Sequence, residues 1–478
     1  MTDIASTPPT PSAPLRQLAD LPCPAGLPLL GNLHQLAPTQ LHLTLERWAA
    51  ELGTPYRFQI CGTPVTVWTD PELCQTISRE RPHRYRRFTP IETVLEEMGC
   101  NGLFSAEGVA WEPQRKLVMQ ALSIPNIKSF YPTLNAITER LYQRWQRAAA
   151  SGAIVEMTQD LKRYTVDITS ALAFGEDPRT LDQDGSAIQE PLALILPAVM
   201  ARINAPFPYW RYLKLPGDRR VDRALKEVHQ YVRQMMQRAR ERMRDDPAET
   251  PRHLLEAMLR LRDAPGSEIS DDQVAANILT LLLAGEDTTA NSIAWAQLYI
   301  ATQAPLQQRL AIAARAALGS HTVCPDYAGL KQLDLFEAVC TEASRLRPVA
   351  AISSFEPLED VCLDNVHVPA GTTMFFLSRP SMLDERHFSQ PEIFDIDRWL
   401  RERDTRTGNH DMRAYLQFGA GPRVCPGRHL ASVEMRLALS TLLASFEIEL
   451  MTDSASIKEI SAFTMVPDTM PMRLKARH

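Results

Sequence analysis

No stretch of this chain stays apolar long enough to cross a bilayer. The longest apolar runs, 192–201 and 275–285, are half of the about 20 residues that a spanning helix takes, so no transmembrane anchor is expected. The N-terminus lacks the basic-then-apolar order of a secretory signal. Residues 1–20 are polar and proline-rich and read as a disordered tail. Cysteines are few, eight in 478 residues, and no Cys-x-x-Cys occurs. That excludes a disulfide framework and indicates a reducing compartment, with the cytoplasm as the expected location. Neither sign of charge dominates: 51 basic against 57 acidic residues give a net charge of -6, so no nucleic-acid partner is expected. The cluster from Arg81 to Arg87 reads as a solvated basic segment. His321 and Cys324 have a loose metal-like spacing with no second half, which reads as a surface loop.

What is present is ordinary globular composition, 45% hydrophobic and 23% charged, enough for a large core. No repeat and no long linker follows residue 20. Short alternating runs at 56–60 and 64–69 predict strands of a small N-terminal sheet. Helical patterns dominate from about Thr39 onward. Ser270 and Gln273 form a capping box. The helix it opens runs through 274–301 without a proline and stops before Pro305. At helical rise that is roughly 45 Å, enough to cross a whole domain. Val368–Thr372 reads as a turn into a strand at 374–377. The pattern is mostly α with a minor β-sheet region, one domain over 21–478.

The most specific segment is Phe418-Gly419-Ala420-Gly421-Pro422-Arg423-Val424-Cys425-Pro426-Gly427, followed by an amphipathic helical run. Its glycines let backbone N–H groups turn toward the sulfur. Those donors and the next helix N-terminus favour thiolate over thiol. Arg423 supplies a cation for a cofactor carboxylate. A dinucleotide-binding loop fails on spacing, because Val424 stands where a third glycine is required. An inert core cysteine is the other reading.

Within the long helix, Ala284-Gly285-Glu286-Asp287-Thr288-Thr289 places the Thr288 hydroxyl within reach of the Ala284 carbonyl, which would open the helix locally. Gly285 would leave room for a diatomic ligand. Asp287 beside Thr288 can relay protons into a dry pocket. The bland alternative is a polar patch on a core helix. Glu342 and Arg345 share a helix face and can pair. Trp111 and Arg115 lie on adjacent turns and offer an indole N–H and a guanidinium to one edge of a ligand.

Together these segments resemble the cytochrome P450 superfamily of heme-thiolate monooxygenases, in its soluble bacterial-type form. Its signature Phe-x-x-Gly-x-Arg-x-Cys-x-Gly is filled by Phe418, Gly421, Arg423, Cys425 and Gly427. The resemblance implies a triangular helical prism with a long central helix, heme b as cofactor, and Cys425 as the axial iron ligand. It implies that the segment from Ala284 through Asp287 and Thr288 serves oxygen activation, and that Trp111, Arg115 and Arg423 hold the heme propionates. Arg398, within 394–399, would complete a structural triad with Glu342 and Arg345. Many relatives place a further propionate-binding arginine where this chain has Phe355. Either another residue serves, or the strand is shifted, or Phe355 lines the pocket.

The implied activity is insertion of one atom of O2 into a lipophilic substrate, as hydroxylation or epoxidation. Electrons would come from NAD(P)H through a separate ferredoxin or flavodoxin and its reductase, because the resemblance leaves no room for a flavin or iron–sulfur domain. A basic docking face would include Arg413, Arg428, His429 and Lys116. Segments 87–104 and 189–215 would cover the substrate pocket, although the apolar stripe in the second reads equally as core. A peroxide-using or rearranging heme-thiolate enzyme is the runner-up, disfavoured by the intact Asp287–Thr288 pair, and a heme-based sensor or carrier comes last.

Overall fold

The computed structural model describes residues 14–183, 189–205, 207–246, 250–400 and 408–477. Residues 1–13, the greater part of the expected tail, lie outside them. The remainder of that tail is held: Arg16 N–H donates to Asn365 O at 2.8 Å, and Arg16 O accepts from His367 N–H at 2.8 Å. Part of the segment before residue 20 is thus fixed, because the edge of a small hairpin offers Arg16 its unpaired backbone groups.

The described residues form twelve short strands: β1 Tyr56–Ile60, β2 Thr63–Trp68, β3 Tyr85–Arg87, β4 Ile154–Glu156, β5 Ile352–Pro357, β6 Val361–Leu363, β7 Val366–Val368, β8 Thr373–Leu377, β9 Phe446–Leu450, β10 Glu459–Ser461, β11 Met465–Pro467 and β12 Pro471–Ala476. The main sheet has the order β1-β2-β8-β5-β3. Only its β2–β8 pair is parallel. Three strands order as β4-β12-β9, and β6–β7 and β10–β11 are hairpins. The first two predicted strands are present, the second one residue earlier than read.

The rest is helical. The capping box forms as predicted: Gln273 N–H donates to Ser270 Oγ at 3.2 Å and Ser270 N–H to Gln273 Oε1 at 2.9 Å. The helix it starts, Asp271–Ala301, has 31 residues. Val274, Ile278, Leu282, Ile293 and Trp295 are all buried, so apolar residues surround it on several sides and it runs through the interior. The helices Met157–Phe174, Asp334–Leu346 and Arg428–Ser445 pack against it. Among the described residues no helix is long and apolar enough to cross a membrane. All eight cysteines are free.

Candidate functional site

The cysteine loop is closed by one backbone bond, Cys425 N–H to Phe418 O at 2.8 Å. Gly421, at φ +66°, lets the end of helix Pro71–Glu80 approach: a Cβ there would lie 2.7 Å from Ser78 O and 2.9 Å from Arg79 Cα. A Cβ on Gly427 would sit 3.8 Å from Cys425 Sγ. Burial pushes the Cys425 thiol up, while the N–H groups of Gly427 and Arg428 and the Arg115 guanidinium favour the thiolate. Helix Arg428–Ser445 begins directly after the loop.

Around this loop the guanidiniums outnumber their counter-ions. Arg423 lies 4.7 Å over the ring of Trp111 and its Nη2 donates to Glu107 Oε2 at 2.9 Å. Its Nε and Nη1 are buried without a partner. Arg81 Nη2 donates to Glu107 Oε1 at 2.7 Å, and the same oxygen accepts from Arg87 N–H at 3.1 Å. Arg87 and Arg115 have no ion pair among the described residues. Burial, then neighbouring Arg81, pushes Arg87 and Arg423 down to about 9. Burial also lowers Arg81 and Arg115. Glu107 thus pairs with two of four partly desolvated guanidiniums, and buried donors on three of the four have no partner among the described residues. A flat cofactor carrying two carboxylates beside a cysteine ligand fits that deficit.

Arg81, Arg87 and Glu107 were not legible as site residues. The 81–87 cluster is not the solvated segment its composition suggested. Tyr85 and Arg87 alternate with Arg86 along β3 and face the interior, and Arg81 is drawn in by Glu107. Of the cluster, His83 and Arg84 are exposed as read, the latter paired with Glu80 and Glu359.

In the long helix, Thr288 Oγ1 donates to Ala284 O at 2.7 Å, and the helix stays continuous through that turn. Gly285 does not make room for a ligand. A Cβ there would meet Thr169 Cγ2 at 2.4 Å, so the missing side chain serves close packing on helix Met157–Phe174. Asp287 is buried, and its Oδ1 is 3.0 Å from Lys162 Nζ, a partly exposed ammonium no local motif revealed. Burial and then the Asp287 charge push Glu286 up to about 7.

The triad assembles fully buried. Arg345 holds Glu342 through Nε and Nη2, both at 2.8 Å, and Arg398 Nε reaches Glu342 Oε1 at 3.0 Å. Trp399 Nε1, unforeseen, donates to Glu342 Oε2 at 2.8 Å. Its ring packs 5.3 Å from that of Tyr415, which leads into the cysteine loop. Arg345 Nη1 also donates to the carbonyls of Met382 and Pro391.

Phe355 is buried against Phe376, ring centroids 5.7 Å apart, with Arg81 over its face at 5.4 Å. It belongs to the packing of the sheet. On the expected docking face, Lys116 pairs with Glu112 and Arg413 with Asp411 and Glu72. Arg428 alone of the four is exposed without an ion pair among the described residues. In helix Gln189–Ile203, Leu192, Ile195, Leu196 and Val199 are buried in the main core at helical spacing. His321 and Cys324 join no metal-binding cluster among the described residues.

Comparison with known proteins follows the same lines. The sequence model of one family, described as Cytochrome P450, matches residues 21–472. The 25-hydroxyvitamin D-1 alpha hydroxylase, mitochondrial, of Rattus norvegicus is 27% identical, covering 95% of this chain and 93% of the relative. Steroid 17-alpha-hydroxylase/17,20 lyase of Gallus gallus is 27% identical over 94% of this chain and 90% of its own. Pentalenene oxygenase of Streptomyces avermitilis is 24% identical over 95% and 97%.

Proposed function

Because the chain belongs to the cytochrome P450 family, whose members bind heme b and act as monooxygenases, we propose that Cys425 is its axial iron ligand and that the surrounding arginines seat the heme carboxylates. The observation that carries this reading is the cation surplus beside the closed cysteine loop. Heme, when bound, would supply the iron at which O2 is activated; the chain supplies the sulfur ligand, the carboxylate-binding cations and the proton path. Gly427 and Arg428 hold the sulfur as thiolate through their N–H groups. Arg423 and Arg115 neutralise carboxylate charge, and Trp111 braces Arg423 from below. Asp287 takes protons arriving at the Lys162 side and passes them toward Thr288, whose hydroxyl is oriented by Ala284 O. Glu342, Arg345 and Arg398 position the loop and touch no reactant.

The substrate is lipophilic. The relatives are named for vitamin D, a steroid and pentalenene, and exposed Leu194, Phe207, Tyr212 and Leu213 mark the covering segment as apolar beyond its core-facing stripe. Electrons come from a separate acidic ferredoxin or flavodoxin with its NAD(P)H reductase. Exposed Arg428, with Arg79 beside Gly421, supports docking at the cysteine loop, since the other cations there are locally paired. Eight free thiols support a reducing compartment, the cytoplasm.

The test is a carbon-monoxide difference spectrum of the reduced protein, parent against Cys425→Ser, then turnover of spin-shifting lipophilic compounds. Expected is a thiolate-type band lost in the variant, with product formed from O2 and NAD(P)H through ferredoxin or flavodoxin. Product from peroxide alone, and none with any reductase system, would refute the monooxygenase cycle.

A further inference from the structure

The turn that carries Asp287 and Thr288 holds a second acid with no task assigned so far. Glu286 is as buried as Asp287, each 8% exposed. Among the described residues its carboxyl has no hydrogen bond and no ion pair. The ammonium nearby is already engaged, because Lys162 Nζ lies 3.0 Å from Asp287 Oδ1. Thr165, on the helix Met157–Phe174, fixes this arrangement. Its Oγ1 is 2.9 Å from Glu286 O and 3.1 Å from Lys162 O. The turn bearing Lys162 is thus stitched to the turn bearing both acids.

Two carboxyls side by side and out of water repel when both are ionised, and neither is hydrated. Lys162 holds the charge on Asp287, so the proton the pair retains sits on Glu286. Burial and then the Asp287 charge push Glu286 up to about 7, with Lys162 opposing. Those two are the charged groups that act on it, one from its own helix and one from the helix packed against it. An ion-paired carboxylate has no proton to give, so Asp287 at rest needs a supplier. The need is real, since turning O2 into one inserted oxygen and one water consumes two protons along with two electrons.

We propose that Glu286 is the proton store of this enzyme: its carboxyl passes a proton to Asp287, Asp287 hands it to Thr288, and Glu286 is refilled from water entering beside Lys162. In the transfer a Glu286 O–H bond breaks and an Asp287 O–H bond forms, and no electron moves. Glu286 acts through Asp287 and touches neither substrate nor cofactor. The proposal rests on the monooxygenase reading above and names the group that keeps its proton relay loaded.

Glu286→Gln keeps the shape of the protonated acid but cannot release the proton. Infrared difference spectra of the resting holoprotein, parent against variant, should show a protonated-carboxyl C=O band that belongs to Glu286. That band should vanish with a midpoint near pH 7. Product formed per NAD(P)H should fall in the parent as pH rises through about 7, because the store empties. In Glu286→Gln the yield should be about tenfold lower on the acid side, level across the window, and equal to the parent's on the alkaline side. If Glu286→Gln gives no holoprotein, Lys162→Met decides by the same band. Without the opposing ammonium its midpoint moves to higher pH, and an unmoved midpoint overturns the assignment. A yield lowered by one factor at every pH marks a merely structural residue and overturns the proposal, as does a missing band. Either result leaves the Cys425 reading intact in a parent that keeps its thiolate-type band. A parent that takes up no heme overturns both.

Discussion

Lys162 Nζ lies 3.0 Å from Asp287 Oδ1, joining a partly exposed ammonium on one helix to a buried carboxylate on another. The pair gives Asp287 a route to water that its own helix does not provide. Proton delivery should therefore depend on Asp287 strongly and on Lys162 less. Asp287→Asn is expected to slow product formation roughly 10²-fold, the lower end for a lost general acid, with substrate affinity by spin-shift titration unchanged. Lys162→Met should slow it less, and Thr288→Ala should let NAD(P)H oxidation continue while product yield drops. Full product rates in Asp287→Asn would mean that protons enter elsewhere.

Glu342 is shared by Arg345, Arg398 and Trp399 with no access to water. Truncating it leaves two buried guanidiniums without their carboxylate, which costs about 3–5 kcal/mol. Glu342→Ala should lower the urea midpoint of the holoprotein accordingly and loosen heme through Trp399 and Tyr415. A loss under about 1 kcal/mol, the range of exposed pairs, would contradict a buried structural triad.

Gly285 and Thr169 form a steric pair. Gly285→Ala brings a methyl 2.4 Å from Thr169 Cγ2, an overpacking that should cost about 1–3 kcal/mol. Thr169→Ser deletes that methyl and keeps the hydroxyl bonded to Thr165 O, so the double variant should recover most of the loss. Chemical denaturation of the four proteins gives the coupling directly. Strictly additive losses would show that the helices do not meet there as described.

Glu434, in the helix after the cysteine loop, is buried with Oε2 unpartnered, and burial pushes it up to about 8 from an ordinary 4.5. The folded state thus keeps a proton that the unfolded chain releases, so stability falls as pH rises from about 4.5 to about 8 and levels off above. Glu434→Gln removes this dependence. Its melting temperature relative to the parent should rise steadily from about pH 5 to about pH 8. A constant difference across that window would place the carboxyl in its ordinary range.

Local features were open to reading in the chain itself. The Ser270–Gln273 capping box, the Thr288–Ala284 bond and the Glu342–Arg345 pair each join residues three or four apart, where helical geometry fixes the neighbour. The Arg423–Glu107 pair joins residues 316 apart. No periodicity announces such a partner, and a run of arginines looks the same whether it faces water or a cavity. Gly285 shows the converse: its position was evident, but its reason lay on a different helix.

Order along the chain thus determined the elements, the cysteine loop and the identity of the groups able to do chemistry, since covalent spacing sets turns, caps and same-face pairs. Tertiary structure decided which charges turn inward and what each one faces. Desolvation and counter-ions are properties of the space between distant segments, and that space exists only once the long helix, the main sheet and the cysteine loop have packed together.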